Sequence, residues 1–91
     1  INDNDEEYFV DTLDLTVAST TKNIGVRVLK IDNDSKLIPG DIIIEINREK
    51  ITDVDNFLEH VNEIYKTGRN SLLLKIIRDE NTLWITIQFK Q

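Results

Sequence analysis

Apolar and polar positions alternate in several short stretches of this chain. Leu13-Asp14-Leu15-Thr16-Val17 places Leu13, Leu15 and Val17 on one face, the pattern of a half-buried strand. Gly25 to Ile31 (GVRVLKI) reads as a second strand after a polar loop over Ser19 to Asn23. Asp32-Asn33-Asp34-Ser35-Lys36 is a turn cluster. Pro39-Gly40 marks a further turn. The run after it, Asp41-Ile42-Ile43-Ile44-Glu45-Ile46-Asn47, is too short and too β-branched for a helix, so it reads as a buried strand ending at Asn47. Lys50 and Ile51 form a short return strand.

The period then changes. Val54, Phe57, Leu58, Val61, Ile64 and Tyr65 recur at helical spacing, which predicts one helix over Thr52 to Tyr65. Thr52 or Asp53 caps it, with Thr52-x-x-Asp55 as an acidic capping box. Gly68 ends the helical region. Phe57 and Ile64 are assigned to the core. Ser71 to Arg78 and Thr82 to Phe89 are two strands of a hairpin joined at Asp79-Glu80-Asn81. Trp84 is out of phase with Leu83, Ile85, Ile87 and Phe89, so it faces the opposite side of its strand. The order β–β–β–(β)–α–β–β predicts an α+β fold: five to six short, mostly antiparallel strands in a sandwich or open barrel, with one main helix packed on it.

Composition and charge narrow the function. The chain has 91 residues, enough for one small core, and a net charge of −6. Asp3, Asp5, Glu6, Glu7, Asp11 and Asp14 all precede the first basic residue, Lys22, and the rest of the chain is balanced. Residues 1–9 are therefore expected to be an acidic linker and residues 10–91 the domain. The sign of the charge argues against nucleic acid and an anionic membrane surface as partners. No apolar run approaches a membrane span. The absence of Met and the start at Ile1 give the expectation of a fragment of a longer protein.

Candidate chemistry is sparse. There is no cysteine, and no serine stands in a Gly-x-Ser-x-Gly context. The one histidine, His60, belongs to the helix flank. Asp32-Asn33-Asp34 opens like a calcium loop, but Lys36, Leu37 and Ile43 stand where its later ligands and glycine are needed. No metal, cofactor or catalytic set is expected in this chain.

One constellation is more specific. Pro39-Gly40-Asp41-Ile42-Ile43-Ile44-Glu45-Ile46-Asn47, the capped helix and the final hairpin resemble the PDZ domain of bacterial HtrA (Do-type) periplasmic serine proteases. Leu13 to Val17 and Gly25-Val26-Arg27-Val28 resemble the entry strands of the second, C-terminal PDZ of that family. The resemblance spans roughly residues 12 to 90. It implies a PDZ domain over residues 10–91, non-catalytic itself, in a periplasmic serine endopeptidase. Its partners would be unfolded or C-terminal protein segments, together with the protease domain and other subunits of the parent. It puts a carboxylate-binding loop at Thr12, Leu13, Asp14 and Leu15. The strand continuing through Thr16 and Val17 would accept a peptide by strand addition. It puts an apolar pocket at Leu13, Leu15 and Val17 with Leu58 and Val61, and Val54 and Tyr65 at its ends. The alternative it implies is an assembly module that mediates oligomer contacts and has lost C-terminal peptide binding.

The sequence departs from that pattern in three places. Asp14 replaces the loop glycine, and two unit charges about 4 Å apart repel by about 4 kcal/mol at an effective dielectric near 20. Internal, neutral or basic segments are therefore expected over free acidic C-termini. About six residues of a short helix are missing before Pro39. Arg48 and Glu80 stand where turn glycines are common.

Overall fold

The computed structural model describes residues 7–22, 24–32 and 35–90. Its elements run β1 (Tyr8–Val10), β2 (Leu15–Ser19), β3 (Val26–Ile31), β4 (Ile42–Ile46), β5 (Glu49–Lys50), α1 (Val54–Lys66), β6 (Ser71–Arg78) and β7 (Asn81–Gln88). Every pairing is antiparallel. The strand order is β1-β2-β3-β4-β6-β7, with β5 added beside β4. This is the predicted α+β architecture, a mostly antiparallel open sheet with one helix. It is consistent with a PDZ-like fold.

The ladder is broken twice, between Thr16 and Val17 in β2 and between Ile43 and Glu45 in β4. Such irregularities raise the local twist and let a small sheet wrap a core. Val26, Val28, Ile43, Ile46, Leu72, Leu74, Ile76, Ile85 and Ile87 fill the interior from the strands, and Phe57 and Val61 fill it from the helix. Phe57 is core as expected. Ile64 packs against the core but is only partly buried. Trp84 is half exposed on the outer face, with the Lys75 ammonium 5.5 Å from its ring centre. The outermost strand, β7, carries no charged residue and no proline over its eight positions, and its register with β6 is unbroken.

Helix α1 starts two residues after the predicted Thr52 and is capped by Asp53, one of the two expected caps. Asp53 is the N-cap, its side chain accepting from the Asn56 N–H at 2.9 Å, and the Asn56 side chain accepts from the Thr52 N–H at 3.1 Å. The cap pairs Asp53 with Asn56 rather than Thr52 with Asp55, and the return bond from Asn56 reaches the residue before the cap. Ser19, at the end of β2, accepts from the Val54 N–H at 3.1 Å and ties that strand to the helix start. Thr67 caps the other end, its hydroxyl donating to the Ile64 carbonyl at 2.6 Å.

The expected turn at Pro39-Gly40 is present, and Asp41 directly after it anchors more than the sequence shows. Asp41 is the one buried charged residue among the described residues. Its carboxylate accepts from the Ile38 N–H at 2.9 Å and takes the Arg78 guanidinium on both oxygens, at 2.8 and 2.7 Å. Arg78 also donates to the Lys36 carbonyl at 3.0 Å. The side-chain hydrogen bond to Asp41 raises the Arg78 pKa from its ordinary value, outweighing desolvation. The β3–β4 connection holds no helix among its described residues, in line with the shortened sequence.

Arg48 and Glu80 both sit at φ +71°, preceded by Asn47 at +49° and Asp79 at +50°. These are two-residue hairpin turns of the left-handed kind, made without glycine.

Candidate peptide-binding site

The first strand lies where no strand is expected. Tyr8 and Phe9, assigned above to the acidic linker, belong to β1, so the boundary at residues 9 and 10 falls inside an element. β1 runs antiparallel along β2, with Tyr8 opposite Val17, Phe9 opposite Thr16 and Val10 opposite Leu15. The other edge of β2 pairs with β3. Both edges of β2 are thus occupied within the chain. Residues 1–6 of the expected linker lie outside the described residues.

A tight turn over Asp11 to Asp14 joins β1 to β2. The Leu13 N–H donates to the Val10 carbonyl at 3.0 Å. The turn is fixed to the body by its own carbonyls. That of Thr12 accepts from the Lys90 N–H at 2.6 Å, and that of Asp14 from the Asp32 N–H at 3.0 Å. Asp14 sits at φ +52°, the left-handed region that a glycine would occupy freely and that Asp tolerates better than most residues. Its carboxylate lies 3.3 Å from the Lys90 ammonium. The charge expected to repel a peptide terminus is therefore partly balanced by a cation from the end of the chain.

The ten expected site residues separate into three groups. Leu13, Leu15, Val17, Val54 and Val61 are buried in the central cluster. Thr12, Asp14, Thr16 and Leu58 are half-buried, and Leu58 packs against that cluster. Tyr65 is exposed and packs edge-on against Phe89, ring centres 5.0 Å apart. The expected pocket residues Leu13, Leu15, Val17 and Val61 are core residues at 0–1% exposure, packed between β2 and α1. Val10 is the residue that sequence reasoning omitted. It is 4% exposed and joins the same cluster from β1. The signal for it is the step from the acidic run to Tyr-Phe-Val, three strand-favouring residues directly before the turn.

His60 is held by its own helix, Nδ1 lying 2.9 Å from the Asn56 carbonyl, and Nε2 lies 3.7 Å from a Glu49 carboxylate oxygen. The depression beside it, about 360 Å³, is lined by Asn47, Glu49, Glu63, Ile64, Thr67 and Arg69, and offers no serine or cysteine nucleophile. Among the described residues no group of three His, Asp or Glu side chains is placed to hold a metal ion, and no helix is long and apolar enough to cross a membrane.

No protein-family profile matches the chain. Over 78 residues it is 25% identical to a probable periplasmic serine endoprotease, DegP-like, of Bartonella henselae. The match covers 80% of this chain and 16% of that protein, so the chain spans about a sixth of its relative's length. The similarity supports a domain related to those of HtrA-type proteases.

Proposed function

We propose that the chain is a non-catalytic PDZ module of an HtrA-type periplasmic serine protease, which takes extended protein segments by strand addition along β2. The observation that carries this reading is the pairing at that edge. An extended segment lies antiparallel on β2, its last side chain enters the apolar cluster, and its last carbonyl meets a loop N–H. Strand addition uses those three contacts, because backbone bonds supply general affinity and one pocket supplies selection. The distant similarity to a DegP-like protease supports this reading in kind. Substrate recruitment or regulation of a linked protease domain follows as the role of such a module.

The second reading, an assembly module without peptide binding, is favoured by the occupied edge of β2. Titration with peptides ending in an apolar residue separates the two. The first reading expects amide shifts at Leu15 to Ala18 and at Leu58 to Val61. Silence at both segments at millimolar peptide, in the chain and in a variant whose β1 cannot pair, overturns it.

A further inference from the structure

We infer that Tyr8-Phe9-Val10 is a tethered ligand of the chain's own groove, and that an external segment binds only when β1 leaves. This rests on the peptide-binding reading above and specifies what regulates that site and which segments it takes.

Four observations converge. β1 covers the one edge of β2 that β3 leaves free. It runs toward the loop at Asp11 to Asp14, so Val10 occupies the position nearest the loop donors. Val10 alone of the three residues is buried, whereas Tyr8 and Phe9 are 37% and 54% exposed. The Val10 carbonyl accepts the Leu13 N–H across the turn, so β1 ends against the loop that the peptide-binding reading assigns to an incoming segment. A strand of three residues with a single buried side chain is held weakly, because it removes little apolar surface from water for the backbone it orders. It nonetheless competes well, since a short tether holds it at an effective concentration in the millimolar range.

The same contacts define the ligand. The carbonyl accepted by the loop belongs to a peptide bond, and the chain continues past it into Asp11. β1 itself needs no free carboxylate to pair there, which points to internal segments as the ligands. The site takes an aliphatic residue of about valine size at the innermost position. The two positions before it tolerate aromatic side chains in contact with solvent. Asp14 beside the loop further disfavours a terminal carboxylate, and Lys90 softens that effect only in part.

The test uses two sets of variants and one probe, a synthetic peptide with an internal Tyr-Phe-Val segment and blocked ends. Phe9→Cys with Thr16→Cys joins β1 to β2 across a directly opposed pair, a geometry compatible with a cross-strand disulfide. The oxidised form is expected to lose binding and the reduced form to bind as the parent chain does. Phe9→Pro and Val10→Asp weaken β1, the first by removing a backbone N–H and fixing φ at an exposed position and the second by placing a charge in an apolar site. Each is expected to bind at least about tenfold tighter, which corresponds to β1 being docked in all but about a tenth of parent molecules. Backbone amide spectra show whether each variant remains folded, and the oxidised and reduced comparison stands if both releasing variants unfold. Equal binding by the oxidised, parent and released forms, with shifts on β2, overturns the inference and leaves the peptide-binding reading standing. Absence of binding in every form overturns both.

Discussion

Gly25 and Gly40 offer a controlled comparison of backbone strain with steric exclusion. Both have positive φ, +105° and +101°, where an alanine is strained by a similar amount. They differ in surroundings. A Cβ at Gly40 meets nothing within 4 Å, whereas one at Gly25 falls 2.3 Å from the Ile43 carbonyl oxygen and 3.1 Å from its carbon. Gly40→Ala is expected to cost about 1–2 kcal/mol, the strain alone. Gly25→Ala adds the displacement of a backbone group that no rotamer change can move. Ile43 belongs to the β3–β4 junction, which has two residue pairs, Val26 with Ile43 and Arg27 with Ile42. The Gly25 N–H is also fixed to the Thr52 carbonyl at 3.0 Å. Losing or lengthening about two such hydrogen bonds adds about 2 kcal/mol, for a total near 3–4 kcal/mol. A domain of this size has about 5–14 kcal/mol in all. At about 4–8 °C per kcal/mol, Gly40→Ala should lower Tm by about 5–15 °C and Gly25→Ala by about 15–30 °C. Thermal and urea unfolding followed by circular dichroism measure both, and unchanged urea m-values would show that the unfolded states are comparable. Equal losses for the two variants would refute the close-approach argument.

Other expectations follow from single contacts. Asp41→Ala removes the buried carboxylate and leaves the Ile38 N–H without its acceptor, so urea unfolding should report a loss of about 3 kcal/mol; a loss below about 1 kcal/mol would count against a structural role. Glu80→Gly relieves a non-glycine residue at φ +71° and should raise stability by about 0.5–1 kcal/mol, the left-handed penalty less the entropy that glycine gains when unfolded. Thermal melts that fail to rise would show that the turn carries no strain. Asp14→Gly removes a carboxylate from the loop and should tighten binding of peptides with a free C-terminus relative to the same peptides amidated; isothermal titration giving an unchanged ratio would rule out Asp14 as the discriminating charge.

The sequence made some of these features plain and concealed others for physical reasons. The helix and the final hairpin were legible because thirteen residues of one period and sixteen of the other leave little ambiguity. The left-handed geometry of Asp14, Arg48 and Glu80 was legible because each stands where a glycine would serve. The cap pair was displaced by one residue, since Thr52, Asp53, Asp55 and Asn56 are all capable caps and only tertiary contacts choose among them. The Asp41–Arg78 pair joins residues 37 apart in sequence, and no local pattern encodes it. Strand β1 was the larger omission. Three residues are too few for periodicity to register, and the preceding acidic run argues for a tail. Its order comes from an available edge and one pocket, which are properties of the folded body.

The uncharged edge of β7 gives the acidic excess a colloidal role. Eight consecutive strand positions without charge, proline or bulge lack the usual guards against joining another sheet. Long-range repulsion between like molecules is then the remaining protection, and a net charge of −6 supplies it near neutral pH. That protection fades as the solution approaches the isoelectric point of about 4.6. Acidification should make the protein associate through β7 before it unfolds, with light scattering rising while the circular dichroism of the fold persists. Thr86→Lys should suppress that rise, because a cation on the edge restores a local barrier; scattering that rises equally in both proteins would assign the association to another surface.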